Sequence, residues 1–160
     1  MSTSQNAVLR EQLVTAMHGD QSHLEFDKAI KDFPVELAGK KPKGAPHTAW
    51  QLLEHMRIAQ HDILEFSRNP KHVSPKWPDE YWVQSAAPAD EKAWKASIAA
   101  FRKDAKAMDA LIQNLSLNLY KAIEGGQGQT LLREALVLAA HNSYHLGQLV
   151  YLKKTLLSTR

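Results

Sequence analysis

The chain has 160 residues, 44% hydrophobic and 23% charged, a composition typical of one globular domain that buries a core, so we treat residues 1–160 as a single domain. Because cysteine is absent, disulfide bonds, thiolate metal sites and a cysteine nucleophile are excluded. The net charge of +3 comes from scattered residues, and no segment reaches the roughly 18 uncharged apolar residues that span a bilayer, so we expect a soluble, cytoplasmic protein without nucleic-acid or membrane partners.

Apolar spacing predicts four helical segments, and no alternating strand pattern of comparable length is present. The first segment runs from about residue 5 to residue 17, breaks at Gly19 and restarts at Ser22. Ser22 and Glu25 have the spacing of a capping box. Pro34 is expected to end the restarted helix, because proline cannot continue it.

The second helix is predicted to begin at Thr48. Its hydroxyl can cap the first turn, and Gln51 lies three residues later, where a capping box needs an amide or a carboxylate. Apolar residues then recur at helical spacing. Asn69 and Pro70 are expected to stop the helix.

The third helix is predicted from about Asp90 to Leu115, with apolar residues at alternating steps of four and three. The sequence GGQGQ at residues 125–129 then breaks the chain, and a fourth helix is predicted from about residue 130 to residue 157. Four amphipathic helices predict an all-α fold, a four-helix bundle with a long loop at residues 67–89 between the second and third helices.

Two histidines lie four positions apart in AAHNSYHLGQL, within the apolar fourth helix. On a helical wheel His145 lies about 40° from His141, and Leu152 and Leu138 lie within about 60°, so both imidazoles are at the margin of the buried face. Burying a neutral imidazole without a partner costs on the order of 1 to 3 kcal/mol, so the pair needs hydrogen-bond acceptors or a cation. Zinc-type sites use this spacing, and imidazole is a good ligand for zinc, nickel, copper and ferrous iron.

A third ligand should lie on another helix at the same position relative to its apolar face, and His55 meets this condition. On its wheel Phe66 lies about 20° away and Leu52 about 60° away, which repeats the arrangement in the fourth helix. These positions predict a site of three histidines. The alternative is that they are core histidines bonded to backbone groups or to polar side chains near the same faces, namely Glu134, Gln148 and Asp62.

The other histidines are expected outside this site. His61 lies about 120° from His55 on the wheel and should face water. His18, His47 and His72 lie at a helix end or in loops, where an exposed histidine is the ordinary expectation.

Two stretches, WQLLEHMRIAQHDILEF and LLREALVLAAHNSYHLGQLVYLKK, resemble the DinB-like family of bacterial four-helix-bundle metalloproteins, and the resemblance covers essentially the whole chain. In that family one histidine of the second helix and a His-x-x-x-His pair of the last helix bind a divalent metal. The resemblance implies these roles for His55, His141 and His145. We expect zinc or nickel, with iron or manganese as the alternatives, and the resemblance also implies a homodimer.

Three protein nitrogens leave at least one coordination position open, which predicts catalysis or ligand binding. The better understood relatives are thiol S-transferases that use bacillithiol, mycothiol or glutathione, and a neighbouring branch contains thiol-dependent isomerases. The resemblance therefore implies a metal-dependent transferase that activates a small-molecule thiol for attack on an electrophile, and these two molecules are the expected partners. A metal-dependent hydrolase, an isomerase and a non-catalytic metal- or ligand-binding stress protein stay open as alternatives.

Two further polar residues are candidates for the chemistry. His23, predicted just inside the restarted first helix, is the candidate catalytic residue for proton transfer, with Asp27 one turn later on the same side. The alternative is an exposed first-turn residue. Asp62, about 20° from His55 on its wheel, is either a hydrogen-bonding partner of the site or a solvated charge beside it.

The connection at residues 67–89 is predicted to be free of helix and is rich in proline and aromatic residues. Long loops in compact domains are usually functional or disordered, and the clustered Trp77, Tyr81 and Trp82 argue against disorder. Two interpretations are open: an aromatic lid over the end of the bundle, or a loop packed on the hydrophobic exterior.

Overall fold

The computed structural model describes residues 2–19 and 21–158, and within them it contains five α-helices and no β-strand, which confirms the all-α class. The α-helices are α1 (Thr3–His18), α2 (Phe26–Ile30), α3 (Ala49–Arg68), α4 (Glu91–Gln113) and α5 (Leu131–Ser158). Short 3-10 helices lie in two of the connections, at Val35–Leu37 and Asp79–Tyr81. No helix in residues 2–19 or 21–158 has the length and apolar character needed to cross a bilayer.

The capping chemistry at the start of α3 is as predicted. The Thr48 hydroxyl accepts a hydrogen bond from the Gln51 backbone N–H, and the Gln51 side chain accepts one from the Thr48 backbone N–H. This capping box satisfies two of the backbone donors that a helix start leaves without partners. Asn69 ends the helix in an extended conformation, also as predicted.

The connection after α1 differs from the expectation. Gly19 ends α1 in the left-handed conformation, with a φ of 74°, and its carbonyl accepts hydrogen bonds from the backbone N–H groups of Ser22 and His23. The positive φ favours glycine here, and the His23 ring packs against the position that a Cβ would take. Ser22 is therefore part of a turn closed on Gly19, and the predicted capping box at Ser22 is wrong.

The short helix α2 begins later and ends earlier than predicted. Its N-cap is Glu25, which makes no side-chain capping bond, and the helix ends at Ile30 rather than at Pro34. His23 consequently lies in the loop before α2 and not inside the helix, which corrects its predicted placement.

Helix α4 ends at Gln113, so the predicted continuation of its apolar seam to Leu115 is wrong, and Leu115 is 59% exposed. The physical reason lies in α1. The buried Arg10 guanidinium donates hydrogen bonds to the backbone carbonyls of Ile112, Asn114 and Leu117. It therefore satisfies carbonyls that the end of a helix leaves without partners, and the chain turns away there.

The long helices pack directly on one another. Helix α3 contacts α4 and α5, and α1 contacts α5 and α4. Two clusters of buried apolar side chains lie between these helices; Trp50, Phe101 and Leu149 belong to one, and Leu13, Leu64, Met108 and Leu138 belong to the other. Because α3 packs on α5, side chains at the margin of the α3 apolar stripe face those at the margin of the α5 stripe.

We expect Arg10→Met to lower the free energy of unfolding by about 2 kcal/mol, because three backbone carbonyls lose a charged donor while the apolar stem is kept. The measurement is urea denaturation followed by circular dichroism. Lys103→Met, at an exposed position of α4, is the matched control and should change stability by less than about 0.5 kcal/mol. Equal stability of the two variants would contradict the role of Arg10.

Candidate metal centre

The imidazoles of His55, His141 and His145 converge between α3 and α5. One ring nitrogen from each residue lies within 4.8 Å of the others. The Nε2 atoms of His55 and His141 are 3.0 Å apart, although these residues are 86 positions apart in the chain. The structure thus brings together the three histidines that the sequence singled out.

The spacing of these nitrogens fits a single cation. Two metal–nitrogen bonds of about 2.1 Å place their nitrogens about 3.0 Å apart at a right angle and about 3.4 Å apart at a tetrahedral angle. The 3.0 Å separation of the His55 and His141 Nε2 atoms is at the short end of this range, and the His145 nitrogen lies within 4.8 Å of both. These three residues could therefore hold a metal ion.

The buried His55 ring is held on two sides by the connection between α3 and α4. Its Nδ1–H donates a 2.9 Å hydrogen bond to the Tyr81 backbone carbonyl. The indole of Trp82 stacks on its ring, with centroids 3.8 Å apart and planes within 3°. Because a carbonyl only accepts, the proton of the neutral ring is on Nδ1 and the lone pair is on Nε2.

The two histidines of α5 have corresponding partners. The Nδ1–H of His145 donates a 3.0 Å hydrogen bond to the Gln148 amide oxygen. Nδ1 of His141 lies 3.4 Å from the amide oxygen of Asn142, a longer contact. Orientation of metal-binding imidazoles through the other ring nitrogen is the usual arrangement in metalloproteins.

A buried chain of amides determines which way Asn142 points. The Phe101 backbone carbonyl only accepts, so Gln60 presents its amide nitrogen to it, at 2.7 Å. The Gln60 oxygen then accepts from the Asn142 amide nitrogen at 3.0 Å, which leaves the Asn142 oxygen facing His141. Sequence reasoning missed both amides. The signal that could have identified them is a polar residue on the buried face of a helix.

Burial keeps the three imidazoles neutral. It lowers the pKa of His55 to about 4, although the Tyr81 carbonyl opposes the shift, and it lowers the pKa of His141 to about 4, with the charge of His145 as the next cause. Burial also lowers the pKa of His145. Neutral rings with Nδ1–H groups bonded outward direct their Nε2 lone pairs at one another, an arrangement that a shared cation stabilises.

The residues that follow Tyr81 run along the start of α3 and pack against the site. Three side chains of α3 or its cap hold them: Thr48 donates to the Ala86 carbonyl, Trp50 to the Ser85 hydroxyl and Gln51 to the Val83 carbonyl. Tyr81 and Trp82 thus cover His55, whereas Trp77 is 72% exposed. The connection is not free of helix, because Asp79–Tyr81 forms a 3-10 turn.

His47 is the aromatic neighbour that sequence reasoning missed. Its ring stacks on the outer face of Trp82, with centroids 3.8 Å apart and planes within 13°, so Trp82 lies between His47 and His55. His47 is half-buried, and the expectation of an exposed loop residue is wrong. Its position just before the Thr48 cap, eight residues from His55, was the available signal.

Asp62 contacts Tyr81 and His72 rather than the three histidines. One oxygen of its carboxylate accepts a 2.6 Å hydrogen bond from the Tyr81 hydroxyl, and the other lies 2.8 Å from Nε2 of His72. Because the Tyr81 carbonyl in turn holds His55, Asp62 is linked to the ligand indirectly. Its carboxylate is largely buried, and so is the His72 side chain, which corrects the expectation of an exposed His72.

The structure places His23 against another part of α5. Its Nδ1 lies 2.9 Å from the Leu24 carbonyl and its Nε2 2.8 Å from the Ser143 hydroxyl. Ser143 is about 200° around the helix from His141, so this contact is on a different face. Asp27 is paired with Arg102 rather than with His23. A catalytic role for His23 stays a prediction.

His61 and His18 contact α4. The His61 ring is 2.9 Å from the Asp104 carboxylate and half exposed, in agreement with its predicted solvent-facing position. His18 is 2.9 Å from Asp109 and is also exposed. Neither residue belongs to the three-histidine cluster.

In the metal-free protein we expect the free energy of unfolding to fall as the pH drops from about 6.5 to about 4. In this window the unfolded chain takes up protons on His55 and His141, whose ordinary pKa is 6.5, while the folded chain does so only near pH 4. The contribution of the two neutral imidazoles to the free energy of unfolding is therefore complete above pH 6.5 and is lost as the pH falls towards 4. Urea denaturation with chelator present, compared with a His55→Gln/His141→Gln variant, measures it, and parallel curves would contradict it.

Comparison with known families agrees with this geometry. The family model of the DinB superfamily matches residues 19–149, a range that includes all three histidines and the segment that covers them. No match to the chain was found among curated proteins or among solved structures. Since the matched range is well over half of the chain, the chain belongs to the DinB superfamily.

Proposed function

We propose that His55, His141 and His145 hold one divalent cation, zinc or nickel, through their Nε2 atoms, and that the protein is a metal-dependent thiol transferase. The observation that carries this proposal is the convergence of three neutral imidazoles whose Nδ1 atoms all face oxygen acceptors. Membership of the DinB superfamily supports it.

Three protein nitrogens leave room for an exogenous ligand, since even a tetrahedral site has four positions. A cation in such a site supplies Lewis acidity that lowers the pKa of a bound thiol, as it does for water. The chain has no cysteine, so the thiol must come from a small molecule such as bacillithiol, mycothiol or glutathione. The second substrate is an electrophile: the thiol loses its S–H proton to solvent, its sulfur bonds to the electrophilic carbon, a leaving group such as bromide departs from that carbon, and the product is a thioether.

The chain's own residues position the ligands and exclude water. The Tyr81 carbonyl and the Trp82 ring fix the plane of His55, and Gln148 orients His145. Trp82 also shields the His55 side of the centre from solvent, with His47 on its outer face. A dry, oriented set of donors raises the strength of electrostatic interactions at the open position.

The wider architecture proposed here is that of the family. The packing of α3 on α4 and α5, and of α1 on α5 and α4, supports a four-helix bundle in which α2 is an addition to the α1 connection. A homodimer in the cytoplasm, where small-molecule thiols are kept reduced, completes the proposal.

After purification without chelator we expect about one divalent ion per chain, measured by plasma mass spectrometry. His141→Gln should lose most of this metal and keep its helical content, because the apolar seams carry the fold. His61→Gln is the matched control. It makes the same substitution at an exposed histidine of α3 outside the cluster, and it should retain the metal. A parent protein without bound metal would overturn the proposal.

Measurements of enzymatic turnover distinguish a transferase from a binding protein and from a hydrolase. The transferase should conjugate monobromobimane to an added small-molecule thiol faster with metal than after chelation, and His141→Gln should abolish this difference. Metal without conjugation by any thiol would favour a binding protein, and metal-dependent ester hydrolysis without thiol would favour a hydrolase.

We expect Tyr81→Phe to weaken metal binding by about tenfold without changing helical content, because the hydroxyl–Asp62 bond fixes the segment whose carbonyl orients His55. Competition with a chromogenic chelator measures the dissociation constant. Tyr120→Phe, at an exposed position between α4 and α5, is the matched control. Unchanged affinity in Tyr81→Phe would show that Asp62 does not position His55.

A further inference from the structure

An open cleft of about 640 Å³ lies beside the three-histidine cluster, between the turn at residues 42–47 and helix α5. This volume is within the range of about 300 to 1,000 Å³ that is typical of small-molecule sites. The cleft is distinct from the cluster itself, because none of the three histidines lines it.

The walls of the cleft are apolar and aromatic. Leu52 of α3 and Leu152 of α5 form buried parts of its wall, and Tyr144 and Tyr151 of α5 stand at its edge. These tyrosines are 66% and 70% exposed and are seven residues apart, so they lie on the same side of the helix. Exposed aromatic rings beside a concave surface are suited to contact a flat apolar body.

Gly147 lies on the same side of α5 and leaves part of the cleft open. A Cβ at this position would meet no atom within 4 Å, so no neighbouring side chain requires the glycine. Glycine in the middle of a helix is destabilising relative to alanine. Its place between the two tyrosines is explained if a ligand approaches the helix backbone there.

The described residues that line the cleft carry a positive formal charge and no negative one. Among its lining residues, all within the described part of the chain, Lys43 is the one with a formal charge, and no acidic residue is present. Lys43 is at the tip of a turn closed by the Ala45 N–H on the Pro42 carbonyl, and Gly44 takes the positive φ of 86° that this turn requires. The turn thus places an exposed lysine in the lining of an apolar cleft.

The cleft and the three-histidine cluster share residues at their border. Gln148 lines the cleft and accepts the hydrogen bond from His145. The Tyr144 ring is 4.9 Å from the His145 ring, and His47 lines the cleft while stacking on Trp82. A molecule in the cleft therefore lies next to the groups that orient the candidate metal ligands.

We propose that this cleft binds an organic anion, a carboxylate or sulfonate with a flat apolar body, with the anionic group at Lys43 and the body between Tyr144 and Tyr151 over Gly147. This inference rests on the proposed function in one respect: such an anion is the electrophilic substrate presented to the three-histidine cluster. Its binding to the cleft needs only the residues named here.

The test uses two fluorescent probes of similar shape, the anion 8-anilinonaphthalene-1-sulfonate and the neutral N-phenyl-1-naphthylamine, titrated into the full chain with and without chelator. We expect Lys43→Glu to weaken binding of the anion by about three- to tenfold and to leave the neutral probe nearly unchanged. We expect Gly147→Leu, which adds a side chain where the ligand body is proposed to lie, to weaken both probes by at least about tenfold.

Two matched controls accompany these variants. Lys121→Glu makes the same charge change outside the cleft, and Ala140→Leu adds the same side chain at an exposed position of α5 two turns earlier. Both should bind both probes as the parent does. The proposal is overturned if Gly147→Leu binds the probes like Ala140→Leu, or if Lys43→Glu weakens the neutral probe as much as the anion.

Failure of this inference can be told apart from failure of the proposed function. A parent that binds metal but whose probe affinities do not respond to the Lys43 and Gly147 variants overturns the cleft alone. A parent without metal, whose anion affinity still depends on Lys43 and Gly147, overturns the metal-dependent function and supports the cleft as a binding site.

Discussion

The candidate metal centre depends on one constraint. The Nδ1 atom of each imidazole in the cluster faces an oxygen that can only accept a hydrogen bond. The three oxygens belong to the Tyr81 backbone, the Asn142 amide and the Gln148 amide. With the proton placed on Nδ1, each neutral ring presents a lone pair at Nε2, and the packing of α3 on α5 brings these lone pairs together. The proposed cation binding and thiol activation rest on this arrangement, whereas the low pKa values of the rings come from burial, which the hydrogen bonds at Nδ1 oppose.

Packing around the cluster has two different consequences on its two sides. Towards the core, the amide chain of Gln60 and Asn142 is fully paired, which a buried polar group requires if it is not to be destabilising. Towards the surface, Trp82 lies between His47 and His55 and covers His55, while His141 is only partly buried and the cleft at Lys43 stays open. The proposed function uses this division, with the three histidines holding the cation and the cleft taking the second substrate.

Two local signals failed for different reasons, one because a competing turn lies beside it and one because a distant residue contacts it. Ser22 has the side chain and the spacing of a cap, but its backbone closes a turn on the Gly19 carbonyl. The apolar periodicity of α4 continues to Leu115, but Arg10 of α1 donates hydrogen bonds to the carbonyls at the helix end. The turn at Gly19 is a second local preference that competes with the cap, whereas the contact from Arg10 is not encoded within the segment that it changes.

The sequence by itself determined the all-α class, the cap at Thr48 and which three histidines form the cluster, namely His55, His141 and His145. These features are local, because periodicity and capping depend on neighbouring residues and the face on which a histidine lies can be read from its own helix. Only the tertiary structure decided how close the three rings come and which nitrogen each presents. It also decided which residues orient and cover them; these are Gln60, Tyr81, Trp82, Asn142, Gln148 and His47. Tautomer and distance depend on atoms contributed by segments far apart in the chain, and no spacing within one helix specifies them.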